Sequence, residues 1–214
     1  MKKINLVAGG PSYLLPELGD YHDSHSTWVG IDKGAVYLLE QGIIPHIAFG
    51  DFDSVTIEEK LFLDNHSVKL TTFQAEKDAT DTELALSWAI KQNPNLIRIF
   101  GATGGRLDHL LANLHIMKRF YNKNIQIKLI DRYNQAEVFL PDCYKVDKKE
   151  EYKYISFIPI SEEVSGITLT GFKYPLNNCH IQLGSTLCIS NELIHAQGTF
   201  SFTSGILLMI RSKD

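Results

Sequence analysis

An α/β domain with a mostly parallel sheet, followed by an all-β sandwich, is the fold class predicted by this 214-residue sequence. Three observations predict it. Short apolar runs alternate with segments of helical period up to about residue 131; beyond that point short strand-like runs follow one another with no helix between them; and turn residues punctuate both stretches. Alternating strands and helices build a parallel sheet with helices on its faces, whereas serial short strands build a sandwich or barrel. The division is expected within 131–145, which gives domains at 1–135 and 136–214.

The first domain is read as strands at 4–8, 28–31, 47–49, 68–73, 96–100 and 125–130. Helices are expected at 35–41, where Gly42 stops the period, at 80–92 ahead of Pro94, and at 107–121. In the second, strands are expected at 154–158, 167–169, 180–183, 186–190, 199–202 and 205–210. Ligands of a sheet of the first kind gather at the carboxyl ends of its strands.

Composition removes several classes of protein. With 44% hydrophobic and 21% charged residues, the chain can bury a core and is not disordered. Its charge of −4 is spread evenly, with 14 basic and 16 acidic residues in 1–135 and the rest after it. No basic arm or stripe offers nucleic acid a phosphate-tracking surface. No apolar run approaches the roughly 20 residues of a membrane span, and Gly9-Gly10-Pro11 cuts short the leading apolar run before an export signal develops. A cytoplasmic protein is expected. Cys143, Cys179 and Cys188 are too scattered for a disulfide framework or a paired-cysteine zinc site.

Carboxylates collect just after the predicted strands. Asp32 follows the strand ending at 31, Asp51 and Asp53 the one at 47–49, Asp78 and Asp81 the one at 68–73, and Asp108 the one at 96–100. Like charges brought to one rim repel unless a cation sits among them, and Mg²⁺ with phosphate oxygens suits hard oxygen donors. In Gly50-Asp51-Phe52-Asp53-Ser54 the two aspartates, two apart in an extended segment, point the same way and can share one ion; an acidic turn accounts for the same string. Thr80-Asp81-Thr82-Glu83 also matches a helix capping box, which would make Asp81 a partner of the helix dipole. The cluster Glu76-Lys77-Asp78 lies outside that explanation.

Gly101-Ala102-Thr103-Gly104-Gly105-Arg106 falls between a strand and a helix, where backbone N–H groups and a helix N-terminus hold anions. On that helix Arg106, His109 and Asn113 share one face, and Leu110, Leu114 and Met117 are expected to form the apolar one. Gly9-Gly10-Pro11-Ser12 offers a second glycine turn. Neither a dinucleotide fingerprint nor a Walker-type loop is present, and no nucleophile elbow appears.

These strings resemble, in order and spacing, the motifs of bacterial thiamine pyrophosphokinases. Asp32-Lys33-Gly34-Ala35, Gly42-Ile43-Ile44-Pro45, Gly50-Asp51-Phe52-Asp53-Ser54, Glu76-Lys77-Asp78-Ala79-Thr80-Asp81-Thr82-Glu83 and Gly101-Ala102-Thr103-Gly104-Gly105-Arg106-Leu107-Asp108-His109 carry the likeness, which spans nearly the whole chain. The stretch from Ser190-Asn191-Glu192 to Ser204-Gly205-Ile206 adds to it. The resemblance implies transfer of the terminal diphosphate of ATP to the hydroxyl of thiamine, and a homodimer with active sites between domains of different subunits. On this reading Asp51, Asp53 and Asp78 hold Mg²⁺, with Asp81 as a further ligand or supporting acid. Asp32 and Asp108 position substrate or ATP, Arg106 and His109 hold phosphate oxygens, Lys77 contacts ATP, and Ser190 and Asn191 face thiamine. Two other readings stay open at this point. In an aspartyl-phosphate phosphatase, Asp51 of the Asp-Phe-Asp string would be the nucleophile; in a nucleotide sensor, ATP would bind without turnover.

Overall fold

The computed structural model describes residues 1–52, 55–66, 70–71, 79–121 and 123–214, residues 70 and 71 by their backbone alone. The chain divides into two compact units, Met1–Arg132 and Tyr133–Asp214.

In the first unit the strands β1 (Lys3–Val7), β2 (Ser26–Ile31), β3 (Ile47–Phe49), β4 (Leu70–Thr71), β5 (Leu96–Phe100) and β6 (Gln126–Ile130) lie parallel in the order β4-β3-β2-β1-β5-β6. Central β1 is apolar without alternation because both its faces are covered: Ile4, Leu6 and Val7 are fully buried. The helices are α1 (Gly34–Glu40), α2 (Ile57–Asn65), α3 (Asp81–Lys91) and α4 (Leu107–Arg119). Of the strand expected at 68–73, residues 70–71 form β4; the remainder lies outside the described residues.

Helix α2 is absent from the sequence reading, because only Leu63 in it is buried while Ile57 and Leu61 are exposed, so no apolar stripe marks it. Its start is nevertheless a complete capping box. The Thr56 hydroxyl accepts from Glu59 N at 3.2 Å, and the Glu59 carboxylate accepts from Thr56 N at 2.8 Å. At α3 the Thr80 hydroxyl accepts from Glu83 N, while the Glu83 carboxylate pairs with Arg119 at 2.6 Å. Trp28 is fully buried in this unit; its Nε1 donates to His22 Nδ1 at 2.9 Å, and its ring stacks on Phe100. Trp88 packs against Phe49.

The second unit holds β7 (Asn134–Phe139), β8 (Asp142–Asp147), β9 (Tyr154–Pro159), β10 (Glu163–Thr170), β11 (Leu176–Gln182), β12 (Gln197–Phe202) and β13 (Leu207–Ser212). Antiparallel pairing links β7-β13-β9 and, separately, β11-β10-β12-β8. Phe157 and Met209 from the first set meet Ile167, Phe200 and Phe202 from the second in one core, so this unit is a sandwich. The expected strand at 186–190 is instead a turn, followed by one isolated bridge between Ile155 and Asn191. Strands β7 and β8 escape the apolar pattern because β7 buries Gln135 and Glu137 and β8 buries only Val146.

Candidate phosphate-binding site

The order β4-β3-β2-β1-β5-β6 reverses direction between β1 and β5, and in such sheets ligands bind beyond the carboxyl ends of the strands at that reversal. Both strands run there into glycine turns. Ala8 N donates to Phe100 O and Gly10 N to Gly101 O, each at 2.8 Å. A Cβ on Gly10 would stand 2.4 Å from Gly101 O, and one on Gly101, at φ +62°, would stand 2.2 Å from Ala8 O. Only glycines allow the two turns to press together.

Helix α4 leaves this junction with Arg106 as its N-cap, and the Arg106 side chain makes no capping bond. Buried Asn113, one turn beyond His109, donates from Nδ2 to Ala102 O at 2.9 Å and ties the helix to the glycine loop. The result is a cavity of about 540 Å³, bordered by both glycine turns and by Asp32, Asp81, Arg106 and His109. That volume falls in the range of small-molecule sites. The Thr103 hydroxyl lies in the same loop, buried and without a hydrogen-bond partner. The sequence quotes Thr103 inside the motif but gives no reason to single it out, since its orphaned hydroxyl is a product of tertiary packing.

Not every expected residue lines this cavity. Asp32 does, and it abuts Gly50: at φ +143°, a Cβ there would come within 1.9 Å of Asp32 Oδ1. Asp51, next along, is exposed. Asp81 also faces the cavity and opens α3. Asp108 is turned to Arg106, which grips it through Nε at 3.1 Å and Nη2 at 2.6 Å. That pairing, helped by His109 N–H, holds the Asp108 carboxyl down to about 2. Asp53, Lys77 and Asp78 lie outside the described residues. Among the described residues no three His, Cys, Asp or Glu side chains group as a metal site. The apolar face expected on α4 is shifted: Met117 is buried with Asn113 and Ile116, whereas Leu110 and Leu114 are half-buried and Leu107 and Leu111 exposed.

In the second unit, Ser190 is exposed at φ +56°, and its N–H donates to Ser156 Oγ at 3.0 Å. Asn191, the neighbouring residue, holds the turn together. It is buried, its Oδ1 accepts from Tyr174 N and Glu192 N, and its Nδ2 donates to Tyr174 O, all within 3.0 Å.

Glycine turns at a strand-order reversal, an arginine at an uncapped helix start and carboxylates on the same cavity define a phosphate-handling α/β unit joined to a β-sandwich unit. Residues 18–129 match the thiamin pyrophosphokinase catalytic domain, and 143–207 the thiamin pyrophosphokinase vitamin B1 binding domain. The chain is 57% identical, over the full length of both proteins, to the thiamine pyrophosphokinase of Bacillus subtilis, whose crystal structure superposes with a TM-score of 0.96. The thiamin pyrophosphokinase of Geobacillus thermodenitrificans, 51% identical, superposes at 0.92 over 99% of this chain and 98% of that one. This chain belongs to the thiamine pyrophosphokinase family.

Proposed function

We propose that this protein transfers the terminal diphosphate of ATP to the hydroxyl of thiamine, giving thiamine diphosphate and AMP. The observation that carries the reading is the cradle of two interlocked glycine turns beside Arg106, in a chain alike over its whole length to a protein of that name.

The thiamine oxygen attacks the β-phosphorus, the bond from that phosphorus to the α-phosphate oxygen breaks, and AMP departs. Backbone N–H groups of the glycine turns and the start of α4 receive phosphate oxygens. Arg106 is held by Asp108 in the free protein and is handed to the phosphates when they arrive, a planar fork exchanging one oxyanion for another. His109 and Lys77 add donors, and Asp32 positions substrate or nucleotide. Asp51, Asp53 and Asp78 would hold Mg²⁺, with Asp81 as a further ligand or supporting acid; the carboxylates of Asp32 and Asp81 on the phosphate cavity fit a hard cation there. When bound, the ion neutralises charge on the phosphate oxygens. Ser190, exposed on its turn, and Asn191 beside it are the thiamine contacts.

The enzyme is read as a homodimer whose active sites draw on both copies; exposed Leu183, Leu187, Ile189 and Ile194 in the second unit support association. A cytoplasmic location accords with the fact that no described helix is long and apolar enough to cross a membrane.

Incubation with ATP, Mg²⁺ and thiamine tests the reading: AMP is expected only when thiamine is present. Free phosphate released from monoesters, with a trappable acyl phosphate on Asp51, would instead establish the phosphatase alternative. ATP bound tightly without turnover in the presence of thiamine would establish the sensor. Asp53→Asn is expected to fold normally and lose several orders of magnitude in turnover, so near-normal turnover in a folded sample would remove Asp53 from the metal site.

A further inference from the structure

A second cavity, of about 230 Å³, lies wholly within the β-sandwich unit and is not used by the reaction above. Its charged lining is Lys148, Lys149, Lys153 and Arg211 against Glu150 and Glu192, with Tyr152, Ile155 and Leu193 as apolar wall. Glu192 is already engaged by Lys173 at 2.9 Å. Lys149 reaches Gln135 at 3.2 Å and, more loosely, Glu151 at 3.7 Å. The lining thus holds four basic side chains against two acidic ones, with the charge of Glu192 shared among Lys173, Lys153 and Lys148.

Arg211 makes this more than a solvated lysine cluster. It sits on β13 between Gln135 of β7 and Ile155 of β9 in register, only 5% exposed, and its Nη1 has no hydrogen-bond partner. Leaving a buried guanidinium donor unpaired costs free energy, and the charges of Glu137, Asp147 and Glu151 act on Arg211 without giving its Nη1 a hydrogen bond. A multiply charged oxyanion entering the cavity would offset the charge of Arg211 and of the three lysines together, which a singly charged carboxylate would do less well. The same positive sign opposes thiamine, a cation, so this is not the vitamin's own subsite.

We propose that this cavity binds a phosphate or diphosphate group, either free or as the end of a small metabolite whose body rests on Tyr152, Ile155 and Leu193. Arg211 forms the floor, and Lys149 and Lys153 close over the anion from the 148–153 turn.

Titration of the ¹⁵N-labelled full chain with inorganic phosphate, inorganic diphosphate and thiamine diphosphate, followed by amide shifts, tests the site. Saturable shifts are expected at 149–155, 192–193 and 211, separate from any at 9–10 and 101–106. The Lys149→Gln, Lys153→Gln double variant, changed only at the cavity mouth, should weaken the first set at least tenfold and leave the second set and thiamine-dependent turnover unchanged. Equal shifts from diphosphate with and without an organic body would assign recognition to the anion alone, and tighter binding of the ester would assign it to both parts; either supports the site. Shifts confined to the glycine turns, or an unchanged Kd in the double variant, would overturn it. Because inorganic phosphate and diphosphate carry no thiamine body, the shifts they cause at 149–155 and 211 stand or fall independently of the thiamine contact at Ser190.

Discussion

Helices α2 and α4 both begin just beyond parallel strands, and their first turns are treated in opposite ways. At α2 the Thr56 and Glu59 side chains satisfy each other's backbone N–H groups, closing the helix end on itself. At α4 the N-cap is Arg106, which offers no acceptor, and two positive-φ glycines precede it. One start is finished as structure. The other leaves its positive end uncapped at the edge of a cavity, with Arg106 paired to Asp108. The difference teaches that an arginine where a threonine would stabilise the helix better is a broken local rule, and such breaks are expected at functional sites.

The comparison can be broken hardest at the glycine junction. Gly101→Ala would put a methyl 2.2 Å from Ala8 O at φ +62°. We expect a stability loss of about 2–4 kcal/mol in thermal melts, together with an at least hundredfold loss of thiamine-dependent AMP formation; a wild-type melt and rate would show that the turns need not interlock. Arg106→Ala comes next. Because its pair with Asp108 is solvent-exposed, the melting temperature should stay within error of wild type, whereas KM for ATP should rise about tenfold or more. A variant that lost stability but kept KM would make Arg106 a structural cap after all.

Thr56→Ala gives the opposite signature at α2, a cost of about 1 kcal/mol in denaturant unfolding with KM unchanged. The smallest effect concerns acid. Since the folded Asp108 carboxyl titrates at about 2, below its ordinary 3.8, its pairing adds stability above pH 4 that is lost only as pH falls toward 2. It should therefore impose no pH dependence on turnover near neutrality. NMR titration of the Asp108 carboxyl should show its pKa rising toward 3.8 in Arg106→Ala, and an unmoved value would dissociate the pair.

What could be read before the structure follows from which signals are local. The strand and helix alternation around β1, β2, β5 and α4 is written in apolar runs, and the glycine turns are written in composition. Helix α2 was illegible because it buries one side chain, although its Thr56-Ile57-Glu58-Glu59 cap was there to be found. Strand β7 was illegible because burial of Gln135 and Glu137 runs against hydropathy. At the site, Asp32, Asp81, Arg106 and His109 were legible from position after strands. The anchoring bond of Asn113, the orphaned Thr103 hydroxyl and the two bonds between Asn191 and Tyr174 were not, since each depends on partners at least 11 residues away or on packing.

The chain's two indoles, Trp28 and Trp88, both reside in Met1–Arg132, and its three thiols, Cys143, Cys179 and Cys188, all reside in Tyr133–Asp214. Nature has thus labelled the halves with different colours: intrinsic fluorescence follows the melting of one, alkylation of the shielded Cys188 follows the opening of the other, and a single sample can reveal whether they come apart in step.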